Sequence, residues 1–328
     1  MPIKGLIKQL LIPALAFCAA SLPIASALAQ EWPARTVTLI VPYPPGGNVD
    51  NLARLLATEF SQKMGGTFII DNKPGGTGLV GTNIVARAKP DGYTLLMGSY
   101  STFATLPALS RMDPEPLDSI DVVAGIAGYI PVLAVSKQLG VKTLQELVAL
   151  AKREPGKLTY GSVGVGSSSH VNGETLKHAA GIDMLHVPFK GSSQSVTALI
   201  GGQIDAVIDG VTVTPAQSGR VVPLAAFYKS RHEILPDVPT AQEAGVAARL
   251  PTSTTFGMFA PKGTPPAIVT KLQSTLESIT KDPSFKSKVV AMSLSPDYTP
   301  AAEYRKALEA DLKYNRDFLP RIGVAAEK

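Results

Sequence analysis

The chain has 328 residues, 45% of them hydrophobic and 6% aromatic, with a formal net charge of +5. That length accommodates two lobes with cores of their own, and the apolar share excludes a disordered chain. The charge excess is small and forms no basic tract, so nucleic acid is not the expected partner.

Lys4 and Lys8 precede an apolar stretch from Leu10 to Ala29, and Ala27-Leu28-Ala29 supplies small residues at its end. This is the pattern of a secretory signal peptide cleaved near Ala29. Pro13 and Pro23 interrupt the run, leaving no unbroken stretch of the ~20 apolar residues of a membrane span. Cys18 is the only cysteine and lies inside that segment. The mature chain therefore has no disulfide, thiolate metal site or cysteine nucleophile.

The first strand is predicted from Val37 to Val41 and stops at Pro42, Pro44 and Pro45, which cannot continue a ladder. Gly46 and Gly47 turn the chain into a helix through Asp50 to about Lys63, with Leu52, Leu55, Leu56 and Phe60 on one face. The unpaired N–H groups and positive dipole end of that helix point back at the turn, an anion site built from backbone. The alternative is an ordinary strand–turn–helix joint. The turn lacks the lysine of a Walker loop and the spacing of a dinucleotide fingerprint, so no nucleotide cofactor is expected.

A second strand follows over 67–71, then a glycine-rich turn at Pro74-Gly75-Gly76-Thr77-Gly78 and a helix to Ala88. The Lys89-Pro90-Asp91-Gly92 turn leads to a third strand over 93–98, which opens into a small polar loop, Ser99 to Thr102. Strands alternating with helices predict a parallel α/β sheet with its ligand edge at the carboxyl ends. Val132 to Val135 reads as the crossover into a second lobe. There, strands over 158–162, 184–189, 206–208 and 221–227 repeat the same strand-to-polar-loop pattern. The loops are Gly164 to His170, Lys190 to Ser193, and Asp209 to Thr212. A return strand over 254–260, a helix opened by Pro265-Pro266, and a helix from Ala301 to about Phe318 complete the chain.

His170, His178, His186 and His232 show no metal spacing. A hydrolase would pair Ser167, Ser168 or Ser169 with His170, but none has the glycine frame of a nucleophile elbow. These serines suit a helix N-terminus better, as caps and as donors to a carboxylate. Lys190 is either a ligand contact or a solvated loop lysine. Asp50, early in a helix, complements its dipole. Asp209 could orient a donor, or accept from a ligand amine or hydroxyl. No carboxylate pair is spaced for acid–base catalysis. No catalytic residue and no metal are expected.

Several stretches together resemble a known family: Val41 to Asp50, Asn72 to Gly75, Lys89 to Leu96, Tyr160 to His170, His186 to Gly191, Pro236 to Thr240 with Glu243 to Gly245, and Ala260 to Pro266. The chain is similar to the Bug-type periplasmic receptors of tripartite tricarboxylate transporters. The resemblance implies an α/β, two-lobed Venus-flytrap of the type II periplasmic-binding-protein kind. Lobe 1 would be residues 30–130 and 252–328, and lobe 2 residues 131–251. It implies a monomeric, non-enzymatic periplasmic receptor. Such a receptor captures a small organic carboxylate for the membrane subunits of a transporter, or reports it to a sensor protein. The ligand loops would be Tyr43 to Asp50 and Gly164 to His170, binding through backbone N–H groups and hydroxyls. The expected ligand set is Tyr43, Pro45, Gly46, Gly47, Asn48, Asp50, Gly76, Thr77, Ser99 and Ser101 from lobe 1. Lobe 2 would supply Gly164, Gly166, Ser167, Ser168, His170, Lys190 and Asp209. Two departures stand out. Tyr43 replaces the usual phenylalanine and could add a hydroxyl to the pocket, and Ile208-Asp209-Gly210 replaces Phe-Asp-Asn and lacks an amide.

Overall fold

Apolar runs punctuated by glycine and proline become the strands, and the 3.6-residue patterns between them become the helices. The computed structural model describes residues 32–324 except 110, 111, 113, 129, 229 and 248–255. The signal-peptide segment, the start of the return strand at Thr254 and the expected 251/252 lobe boundary lie outside the described residues.

The first half runs β1 (Val37–Val41), α1 (Asn48–Met64), β2 (Phe68–Asn72), α2 (Leu79–Ala86), β3 (Thr94–Ser99), α3 (Leu106–Leu109) and β4 (Ile120–Gly128). Then come β5 (Val132–Ser136), α4 (Leu144–Arg153), β6 (Thr159–Ser162), α5 (Ser168–Ala180), β7 (Leu185–Pro188), α6 (Ser192–Ile200), β8 (Ala206–Asp209), α7 (Val213–Gln217) and β9 (Val221–Ala226). The chain closes with β10 (Phe256–Pro261), α8 (Pro266–Lys281), α9 (Pro283–Ala291), β11 (Ser295–Pro300) and α10 (Ala301–Phe318).

These strands form two sheets, one of six strands in the order β11-β4-β10-β3-β1-β2 and one of five in the order β7-β6-β8-β5-β9. Helices cover both faces of the first sheet. Leu39 and Val41 of β1 pack into a core with Leu52, Leu56 and Phe60 of α1 and Leu272 and Leu276 of α8. Ile40, between them, points the other way into a core with Tyr304 and Leu308 of α10. Successive strand side chains alternate faces, and burial on both faces makes β1 apolar at every position but Thr38.

The expected parallel sheet holds for β1 with β2 and β3. It does not hold for β10, which enters antiparallel between β3 and β4 as the chain returns from the second sheet. The sheet is mixed because that return strand arrives from the opposite direction, and β11 likewise pairs antiparallel with β4 at the sheet edge. Three further segments differ from expectation. The stretch Ser99 to Thr102, read as a polar loop, ends β3 and enters a π-helical turn, Ser101–Thr105, that leads into α3. The side-chain amide of Asn315, buried on α10, donates to the Tyr100 hydroxyl at 2.9 Å and the Ala104 carbonyl at 2.8 Å. Those tertiary bonds hold the helical turn despite its weak local propensity. Helix α9 and strand β11 went unanticipated, although Asp282 caps the Ser284 N–H and Pro283 opens the helix.

Candidate ligand site

The turn between β1 and α1 is fixed by one carboxylate. Asp50, 1% exposed, accepts the Gly46 N–H at 2.9 Å and the Asn72 amide at 2.8 Å. It also accepts a two-pronged contact from Arg54, at 2.9 and 3.1 Å. Burial raises its pKa, but the bonds from Arg54, Gly46 and Asn72 outweigh that and lower it. Asn72 also donates to the Tyr43 carbonyl at 3.1 Å, tying the turn to β2. Gly46 has φ +84°, whereas Gly47 sits at φ −82° as the residue before the helix. The first intrahelical bond runs from Asn51 N–H to the Gly47 carbonyl. The N–H groups of Asn48, Val49 and Asp50 therefore precede the ladder. The Gly46 amide belongs to Asp50 and does not serve an incoming anion. Asp50 does more than complement the dipole: it pins the turn.

The Tyr43 ring faces the cavity, but its hydroxyl turns into the wall. It lies 2.6 Å from Ser99 Oγ and 3.4 Å from both Thr102 Oγ1 and the Thr77 carbonyl. The expected extra pocket hydroxyl is thus spent inside the first sheet's own wall.

Across the cleft, Ser167 caps α5. Its Oγ donates to the Gly164 carbonyl at 2.6 Å and accepts the His170 N–H at 3.3 Å. Ser169 Oγ accepts the Val163 N–H at 3.1 Å. His170 Nδ1 accepts the Gly166 N–H at 3.1 Å, and its ring stacks on His186 at 4.0 Å. Burial, with the nearby charges of His186 and Lys177, lowers the His170 pKa to about 3, so the imidazole stays a neutral acceptor. Gly166 sits at φ +74°, strained for any other residue, and a Cβ there would fall 2.9 Å from the terminal methyls of Leu106 and Leu109, which would have to shift. Two polar bridges join the halves: Ser101 Oγ to Ser168 Oγ at 2.9 Å and to its N–H at 3.1 Å, and Thr77 Oγ1 to the Val165 carbonyl at 3.3 Å. His170 makes no side-chain bond to a serine hydroxyl among the described residues. Ser162 Oγ does lie 2.6 Å from His186 Nε2, but Ser162 is fully buried.

A cavity of about 270 Å³ lies between these walls, small even for a small-molecule pocket. Tyr43, Pro45, Gly47, Asn48, Thr77, Ser99 and Ser101 line it from the first half. Ser167, Ser168, Lys190 and Asp209 line it from the second. Gly46, Asp50, Gly76, Gly164, Gly166 and His170, expected as contacts, do not line it; of these, Asp50 and His170 act one layer back, holding the turns. Sequence reasoning missed the start of α6, where Gly191, Ser192, Ser193 and Gln194 form part of the wall. The Gly191-Ser192-Ser193 run ahead of an apolar helix was the available clue. It also missed the apolar contributions of Val49, Tyr100, Val163 and Phe256.

The N-termini of α1, α5 and α6 thus converge on one cavity from both sheets. Positive dipole ends and early N–H groups favour an anion there. Asp209, 5% exposed on the cavity wall, is the exception in sign. Its Oδ1 accepts the Val211 N–H at 3.1 Å. Burial pushes its pKa up to about 6, against the lowering effect of the Val211 and Gly210 N–H groups. Among the described residues no group of His, Cys, Asp and Glu could hold a metal ion.

The profile of the tripartite tricarboxylate transporter family receptor matches residues 52–324. The chain belongs to this receptor family. Solved relatives agree along nearly its whole length. A Rhodopseudomonas palustris protein solved with adipate is 32% identical with a TM-score of 0.84, covering 90% of this chain and 99% of its own. The periplasmic binding protein BugD is 29% identical with a TM-score of 0.83, covering 90% and 100%. MatC from Rhodopseudomonas palustris, solved with malate, is 28% identical with a TM-score of 0.81, covering 87% and 99%. The receptor has the type II periplasmic-binding-protein fold, and its family and structural relatives are solute-binding receptors, not enzymes.

Proposed function

We propose that the receptor captures a small organic carboxylate in the cavity between its two sheets and delivers it to the membrane subunits of a tripartite transporter. The observation that carries this reading is the convergence of three helix N-termini on one small cavity. Adipate and malate, held by the two Rhodopseudomonas palustris relatives, are the class of ligand such a site suits. The receptor works as a periplasmic monomer after its signal peptide is removed near Ala29. Residues 30–130 and 252–328 form one lobe and residues 131–251 the other, and the lobes close on the ligand by a hinge.

The test is a thermal-shift panel of mono-, di- and hydroxycarboxylates on the mature chain, followed by calorimetric titration of the hits. A ligand that binds only the folded state, at 100 times its Kd, adds about 2.7 kcal/mol. For lobes of this size that raises Tm by about 5–10 °C. A panel that leaves Tm unmoved and gives no binding heat contradicts the reading.

A further inference from the structure

The carboxylate reading leaves Asp209 unexplained. A site that collects anions at helix N-termini also presents a buried carboxylate on its wall, in a cavity of about 270 Å³. Asp209 forms no ion pair among the described residues, and its oxygens are met by loop N–H groups, not by a cation. The elements around it offer little to neutralise it. Strand β5 carries no titratable side chain, and neither does α6. Strand β6 contributes Tyr160, whose hydroxyl is bonded to Glu174 at 2.6 Å. On α5, His170 is neutral, Lys177 pairs with Glu174 at 3.0 Å and His178 lies near the far end of the helix. Tyr43 and Tyr100 line the cavity, but their hydroxyls bond to Ser99 and to Asn315, and Lys190 lines it from an exposed position. An anionic ligand confined beside an ionised Asp209 meets a like charge that water cannot screen.

Resting on the proposed carboxylate ligand, we infer that Asp209 is the specificity residue that makes capture proton-linked. It takes one proton from solvent as the ligand enters and donates that O–H to a ligand carboxylate oxygen. The charge balance then closes: the neutral acid removes the repulsion, and the helix N-termini and Lys190 keep the ligand's charge. The raised pKa of the empty site, about 6, already leans the same way, and a bound anion pushes it higher. The competing assignment keeps Asp209 ionised against a ligand ammonium, and it predicts the opposite sign with pH.

The experiment is calorimetric titration of the mature receptor with adipate and with malate at about pH 6, 7 and 8, where these probes are ionised. Each titration is run in two buffers of different ionisation enthalpy. Only the protonated receptor is competent, so affinity falls about 50-fold from pH 6 to pH 8, given a free pKa of about 6. Proton uptake rises toward one per ligand at pH 8. Asp209→Asn keeps an Oδ1 acceptor for the Val211 N–H and offers an N–H donor to the ligand. It should bind more tightly than wild type at pH 8, with a flat pH profile and no buffer-dependent heat. If the variant does not fold, the wild-type proton count still decides. Binding that is pH-independent with no proton uptake removes this inference and leaves the carboxylate reading standing. So does tight binding of amino-substituted carboxylates alone, weakening as pH falls. No binding of any carboxylate at any pH removes both.

Discussion

Asp50→Ala should cost the receptor its ligand although Asp50 does not line the cavity. The carboxylate is 1% exposed and accepts from Gly46, Asn72 and Arg54. Its removal has three parts. The Gly46 N–H is left on an exposed turn, where water can meet it. The Asn72 amide loses its 2.8 Å bond but keeps the Tyr43 carbonyl. The Arg54 pair, with the arginine side chain 53% exposed, contributes only a surface-scale amount. Because both donors keep another acceptor, each lost bond costs about 1 kcal/mol, and with the partly screened ion pair the total is about 2–3 kcal/mol. That lowers Tm by about 5–10 °C. At 25 °C the variant remains folded, so stability alone predicts unchanged affinity. Loss of the pinned turn predicts more: the N–H groups of Asn48 and Val49 are no longer held toward the cavity, and affinity falls at least tenfold, about 1.4 kcal/mol. Arg54→Met is the control, since it keeps the carboxylate and should lose under about 1 kcal/mol of stability with affinity intact. Thermal melts and calorimetric titration, with adipate or malate as probe, separate the two effects. Wild-type affinity in folded Asp50→Ala would refute the idea that this carboxylate positions the site.

Tyr43→Phe removes a hydroxyl that serves Ser99 in the wall, so it should lower stability by about 1 kcal/mol in a melt and leave affinity within about twofold. Gly46→Ala, at φ +84°, should cost about 1–2 kcal/mol of stability. By contrast, a Cβ at Gly47 meets nothing closer than 3.8 Å in the protein; Gly47 lines the cavity, so titration of Gly47→Val should show binding weakened at least tenfold. Lys190→Ala should weaken binding by only about 1 kcal/mol, because an exposed lysine adds a screened charge to the backbone site; complete loss in a folded variant would place the anion on that lysine. His170 has a folded pKa of about 3, below its ordinary value. Its contribution is fully present above about pH 6.5 and is lost as pH falls from there toward 3, at up to about 1.4 kcal/mol per unit. His170→Gln should remove one proton's worth of that slope in urea melts between pH 6.5 and 5; an identical slope in variant and wild type would contradict a buried neutral histidine.

How much of this was legible in the sequence depends on how local its cause is. The helix over Ala301–Phe318 and the strand ending at Val41 follow from periodicity and from proline, both local effects. The wall residues at the starts of α1 and α5 were also readable, because serine and glycine before an apolar helix mark an N-terminus; the start of α6 carries the same signal and was missed. What escaped depends on partners distant in the chain. Asn315 makes a helix of Ser101–Thr105 from 211 and 215 residues away. Asp50 finds Asn72 across 22 residues. The direction of the Tyr43 hydroxyl is set by Ser99, 56 residues on. Spacing in one sequence carries no trace of such pairings, so residues of the second layer were read as ligand contacts.

In the proposed mode of capture, helix N-termini from both sheets hold the carboxylate oxygens. A crystal structure of the receptor with its tightest carboxylate tests it most directly. Ligand oxygens should lie within hydrogen-bond distance of the Asn48 or Val49 N–H on one side and of the Ser167–Ser169 or Ser192–Ser193 groups on the other. A ligand held by Lys190 alone, or lying outside this cavity, would contradict it.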